Sequence, residues 1–253
     1  MSGILRVSHA EVRVPDLELA VAYYTEVVGL IEVERSDDEH GERSYLKGWD
    51  EHQHHSLILS RRPTYGLDAV AFKVEHAADL DTLRERIEAV GIGTTRHAPG
   101  TLAVGSGDVL RFRAPTGHVV ELEHGQVQVG NRMPKLNPPI GPAGLIGMAP
   151  PRIDHVFLMC EDINAATDFF RDVLGFRMTE QILADDGNQL ASFLERSHST
   201  HDIAFLTGPD GGFHHIAYWV DDWNELRKGA DTCAYHGVTV DAGPTRHGAT
   251  RGC

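Results

Sequence analysis

Cysteine is scarce in this chain. Cys160, Cys233 and Cys253 are the three among 253 residues, an odd number without metal-type spacing. This argues against a disulfide framework and for reduced thiols in a cytoplasmic protein. Basic residues are outnumbered, 23 Lys and Arg against 37 Asp and Glu, giving a formal net charge of −14. An acidic surface repels phosphate backbones and anionic headgroups, so neither nucleic acid nor membrane is an expected partner. No apolar run approaches the roughly 18 residues of a membrane span. The first residues also lack the charged-then-apolar order of a secretory leader. The apolar fraction of 41% is ordinary, and the length suits one large or two smaller globular domains.

Histidine is abundant by contrast, with 16 residues, and two of them mark a duplication. His9 in Val7–Val14 and His155 in Ile153–Cys160 lie 146 residues apart. The same offset pairs Asp16 with Asp162, Ala20 with Ala166, Tyr23-Tyr24 with Phe169-Phe170, and Gly29 with Gly175. It runs on through Pro63 and Pro209, Gly66 and Gly212, Ala71 and Ala217, and Val74 and Val220, to Gly91 and Gly237. A register held this long means that one unit was duplicated. The copies differ at one telling place, where the early half has Ala69 and the late half His215.

Each half divides again, since Ala69 follows His9, and His215 follows His155, by 60 residues. Every quarter opens with a short alternating strand, Val7–Val14, Ala69–Val74, Ile153–Cys160 and His215–Val220. Amphipathic helices then start near Asp16, Asp79, Asp162 and Asp222, residues suited to cap exposed N–H groups. Gly29, Gly91, Gly175 and Gly237 end them. Further strands are expected at Ser44–Leu46, Ser56–Leu59, Leu190–Leu194 and Asp202–Leu206. The repeated pattern is βαβββ, an α+β class. Gly125 to Pro151, with its Asn137-Pro138-Pro139 run, reads as a linker. The expected domains are therefore 5–124, non-catalytic, and 152–253, catalytic.

Ile153-Asp154-His155, His201-Asp202-Ile203-Ala204-Phe205, His214-His215 and Gly243-Pro244-Thr245-Arg246-His247-Gly248 occur in that order. With this set the chain resembles the vicinal-oxygen-chelate superfamily, and within it the type I extradiol dioxygenases of the catechol 2,3-dioxygenase branch. The resemblance covers nearly the whole chain. It implies two tandem domains, each of two βαβββ modules. It also implies Fe(II)-dependent cleavage of catechol or substituted catechols by O2 to 2-hydroxymuconic semialdehydes, in a homo-oligomer, commonly a tetramer.

Two histidines and one carboxylate on one face of a metal leave open positions for a chelating diol and for O2. His155 and His215 are the expected metal ligands, each at the start of a strand in paired quarters. The repeat register selects His215 over its neighbour His214. The bland reading of His155 is a satisfied interior histidine, which is the reading given to its copy His9. The resemblance makes His201 the acid/base histidine and His247 a catalytic residue that hydrogen-bonds the catechol oxygen. Both count as substrate-binding, and the alternative for each is a solvated loop histidine. Phe193, Phe205 and Trp219 are candidates for apolar walls. The cluster His52-Gln53-His54-His55 is read as non-metallic because Ala69 occupies a ligand position.

The third ligand is missing. In the early half Glu121 lies on the second strand of a hairpin, and the resemblance makes its late counterpart the carboxylate ligand. The offset carries that counterpart past Cys253, so the fourth module is read as truncated and a Glu ligand is expected beyond residue 253. The 253-residue chain by itself is accordingly expected to have little ring-cleaving activity. Two other classes stand beside the dioxygenase: a glyoxalase-like enzyme on the same fold, and a metal-free small-molecule binding protein.

Overall fold

A computed structural model describes residues 3–133, 136–137, 141–246 and 248. The early half runs β1 (Ile4–Val14), α1 (Leu17–Ala22), β2 (Ile31–Asp38), β3 (Gly41–Lys47) and β4 (Leu57–Arg61). It then repeats as β5 (Gly66–Val74), α2 (Ala77–Ala89), β6 (Thr94–His97), β7 (Asp108–Arg113) and β8 (Val119–His124). The late half begins again with β9 (Arg152–Cys160), α3 (Ile163–Asp168), β10 (Arg177–Leu183), β11 (Gln189–Glu195) and β12 (Ile203–Thr207). It continues with β13 (Gly212–Trp219) and α4 (Trp223–Tyr235). None of the helices is long and apolar enough to cross a membrane, among the described residues.

The strands form one eight-stranded sheet, ordered β2-β3-β4-β1-β5-β8-β7-β6, and one five-stranded sheet, ordered β10-β11-β12-β9-β13. The duplication holds at the level of single residue pairs. In the early sheet Glu11 faces Ala69 and His9 faces Ala71; in the late sheet Phe157 faces His215 and His155 faces Ala217. The two sheets even share their irregularities. Each has a register shift just before residue 69 or 215, leaving Asp68 or His214 as the extra residue of a bulge.

The helix caps follow from local chemistry. Asp16, Asp162 and Asp222 accept hydrogen bonds from Leu19 N, Ala165 N and Glu225 N at 3.0, 2.9 and 3.1 Å. Asp79 departs from the expected role. His76 is the cap, and Asp79 lies three residues inside, accepting from the His76 backbone N–H at 2.8 Å. Helices α1 and α3 widen into π-helical turns at Tyr23–Val28 and Phe169–Val173, where the paired aromatics sit. Gly29 ends the first with φ 83°, and a Cβ there would meet the Ile146 carbonyl oxygen at 2.1 Å. Only glycine lets the connecting segment pass so close.

One apolar core joins the halves. Phe72 of β5 meets Phe176 and Phe170 with ring centroids 5.1 and 6.3 Å apart, and Phe112 of β7 meets Phe169 at 6.0 Å. Each such fully buried side chain contributes about 1.5–3 kcal/mol. The rings lie on the sheet faces opposite the histidines, so the core leaves two concave faces for other chemistry. A second junction lies at the Pro115–Gly117 turn before β8. Gly211 N donates to Thr116 O at 2.8 Å, and the His118 imidazole donates to Gly212 O at 2.9 Å.

Candidate metal centre and active site

Alternation along β9 turns His155, Phe157 and Met159 to one face. Strand β13 reaches the same face at His215. The bulge at His214 shifts the alternation there, so that His215 and not His214 stands opposite His155. The two Nε2 atoms lie 3.3 Å apart. Two donors at right angles, each about 2.1 Å from one metal ion, would be separated by about 3.0 Å. The pair fits a shared cation with little adjustment. Among the described residues no group of three His, Cys, Asp or Glu side chains converges on one metal position.

Asp154 fixes the direction of His155. A carboxylate can only accept, so His155 donates from Nδ1 to Asp154 Oδ2 at 2.9 Å. This leaves the Nε2 lone pair directed at His215, an arrangement common behind metal-bound histidines. Asp154 also accepts from Ser199 Oγ at 3.0 Å and Arg152 Nη1 at 3.1 Å. Burial alone would raise the Asp154 carboxyl, but the His155 hydrogen bond, Arg152 and Ser199 hold it below its usual range. His215 is steadied from the other side by His214, Nδ1 to Nδ1, at 2.7 Å.

His201 precedes β12 and is 3% exposed. Its ring centroid lies 3.9 Å from that of His155 and 5.1 Å from that of Phe193. The buried Asp202 shapes the loop before it, accepting from Arg196 N at 2.6 Å and Ser197 N at 2.8 Å. The structure thus brings His155, His201 and His215 together. His247 lies outside the described residues.

Phe157, Phe193, Ala191, Ala204 and Leu206 form an apolar cluster beside these histidines. Phe193 lines the site as expected. Phe205 does not: it is fully buried on the opposite sheet face against Phe170, with centroids 5.1 Å apart. Trp219 does not either, being 41% exposed beneath the Arg152 guanidinium, 4.8 Å away. Phe157 replaces them. Period-two alternation from His155 was the signal for it.

The early half repeats this geometry with different contents. His9 Nε2 lies 3.7 Å from Glu121 and its Nδ1 lies 3.5 Å from Glu123. Burial would push the His9 imidazole down, but the Glu121 and Glu123 carboxylates outweigh it and lift it to about 10. The site holds an imidazolium between two carboxylates. The neighbouring histidines are bonded within the protein, His54 to Glu34 at 3.2 Å and His55 to Gln126 at 3.1 Å.

Both halves are similar to known proteins. Residues 152–252 match the Glyoxalase/Bleomycin resistance protein/Dioxygenase superfamily, and residues 67–123 match the Catechol 2,3-dioxygenase-like N-terminal domain. The chain is 36% identical to a metapyrocatechase of Pseudomonas sp. (strain CF600), over 99% of this chain and 81% of that one. It is 29% identical to a manganese-dependent 2,3-dihydroxybiphenyl 1,2-dioxygenase of Geobacillus genomosp. 3, over 98% and 79%. The crystal structure of the 2,3-dioxygenase LapB from Pseudomonas sp. KL28 superposes with a TM-score of 0.93 at 38% identity, covering 100% of this chain and 88% of that one. The paired βαβββ halves, the histidine-lined cup and these likenesses agree: the chain belongs to the metal-dependent extradiol dioxygenases of the catechol 2,3-dioxygenase type, with the vicinal-oxygen-chelate fold.

Proposed function

We propose that His155 and His215 hold a ferrous ion through their Nε2 atoms and that His201 moves protons during extradiol cleavage of a catechol to a 2-hydroxymuconic semialdehyde. The observation that carries this reading is the 3.3 Å Nε2–Nε2 approach. A divalent redox-capable metal bound there supplies a chelation point for both diol oxygens and a path for electrons from the ring to O2. Asp154 keeps His155 in the tautomer whose Nε2 is free to bind. Phe157 and Phe193 give a flat apolar wall against which an aromatic ring packs, and they exclude water. His201, buried beside that wall, takes up and returns a proton at an imidazole nitrogen. In the same reading 5–124 is a scaffold domain, 125–151 a linker and 152–253 the catalytic domain. The protein is cytoplasmic and assembles with further copies of itself as a homo-oligomer.

Anaerobic titration with Fe(II) and with Mn(II), followed by dialysis and metal analysis, tests the metal assignment. The expected result is stoichiometric Fe(II) binding that is lost in both His155→Ala and His215→Ala. Preference for Mn(II), or Fe(II) retained in the double variant, would overturn it. With the metal loaded, His201→Asn is expected to lower formation of the yellow semialdehyde from catechol by about 10²–10⁴-fold while metal content stays unchanged.

A further inference from the structure

We propose that the cup of the early half is a binding site for a small organic dicarboxylate. A cavity of about 400 Å³ opens there, lined by Arg13, Arg43, Arg62, Arg111 and Arg113. Its size falls in the range of about 300–1,000 Å³ typical of small-molecule sites. Five guanidinium groups around one cavity, in a chain whose net charge is −14, need an explanation.

Carboxylates of the protein offset much of this charge but not all of its donors. Arg43 is held by Asp38 at 3.3 Å and faces Glu11 at 3.8 Å, and Arg111 is held by Glu121 at 3.0 Å. Arg13 and Arg62 share the single Asp68, at 3.3 and 3.7 Å. Arg113 donates to the Gly117 carbonyl and has no carboxylate partner among the described residues. The Arg43 side chain is 2% exposed, yet its Nε has no hydrogen-bond partner among the described residues. A buried guanidinium donor left unmet is costly. The partly exposed side chains of Arg13, Arg62 and Arg111, with the exposed Arg113, are the donors that a ligand with several acceptor oxygens reaches.

The geometry selects the ligand class. Arg13 projects from β1, whereas Arg111 and Arg113 project from β7, with β5 and β8 between them in the curved sheet. Cationic groups therefore face the cavity from separated walls. Planar guanidinium forks match carboxylates bidentately. A molecule with a carboxylate at each end meets both walls at once. The catalytic cup presents none of this, since the repeat offset places Phe157, Met159 and Phe213 at the positions of Glu11, Arg13 and Leu67. The two cups thus take ligands of opposite polarity, and the early one does so whether or not the late one holds metal.

Calorimetric titration with succinate, paired with thermal unfolding, tests the assignment without reference to ring cleavage. One saturable site per chain is expected, with the unfolding midpoint raised by roughly 2–6 °C near saturation. Arg113→Met and Arg62→Met should each weaken binding about tenfold or more, whereas Arg171→Met, on an exposed helix, should leave it unchanged. Arg113 is exposed and Arg62 half-buried, and each variant's own unfolding midpoint reports whether it folds. Three outcomes overturn the proposal: an effect no larger than that of sodium chloride at matched ionic strength, an equal effect from inorganic phosphate, or binding that survives both substitutions.

Discussion

The two halves of this chain share a backbone register to the residue and yet hold different chemistry in their cups. Early, His9 is an imidazolium clasped between Glu121 and Glu123, with Ala69 where a second histidine would stand. Late, His155 and His215 face each other at 3.3 Å within apolar walls. Each solution meets the cost of burying polar groups. The early cup sets its histidine between two carboxylates of its own. The late cup directs two imidazole nitrogens at each other, the geometry on which the proposed metal site rests. The exchange of Ala69 for His215, with Glu11 and Arg13 giving way to Phe157 and Met159, separates the two outcomes on one scaffold.

Breaking the early cup should cost stability rather than chemistry. His9→Gln leaves two buried carboxylates facing each other and is expected to destabilise the protein by about 3–5 kcal/mol, measured by urea denaturation, with metal content unchanged. Breaking the support of the late cup should do the reverse. Asp154→Asn frees the His155 ring and is expected to weaken metal affinity by about 10–100-fold, while its denaturation midpoint moves little.

The early imidazolium also gives the protein a pH signature. The His9 value in the folded state is about 10, above the unfolded value of about 6.5. Its stabilising effect is therefore complete below about pH 6.5 and is lost as pH rises through about 10. Unfolding free energy should fall more steeply across that window in the wild type than in His9→Gln. Equal slopes would place the proton elsewhere. The smallest effect is expected at the walls. Phe157→Leu should raise KM for catechol by about tenfold with kcat nearly unchanged, whereas Glu11→Gln, its repeat counterpart, should leave KM alone.

Much of this was legible because the offset of 146 residues is a spatial statement. Once 69 and 215 are equivalent, the repeat register sets His215, and not His214, opposite His155; the bulge that turns it inward is visible only in the structure. Phe157 was equally readable, two residues from His155. Aromatic character does not reveal sheet face, so Phe193, Phe205 and Trp219 stood as equal candidates; the pairing of Phe205 opposite Leu158 puts it in the core. Asp79 looked like a cap because it is acidic at a helix start, but capping depends on φ and ψ, and His76 has the extended backbone. The arginine-lined cavity was hidden altogether. Arg13, Arg43, Arg62 and Arg113 come from four separate segments, and only the curvature of the sheet brings them round one space.

The turn at Pro115–Gly117 gives the early half a further importance. Through Thr116 O and His118 it grips Gly211 and Gly212, where the strand carrying His215 begins. The half without the paired histidines thus acts as a splint for the other, setting the starting point of a strand whose tilt decides where His215 aims. Excising it would leave that strand anchored along only one flank, and the aim of one imidazole would loosen before any residue around it had been changed.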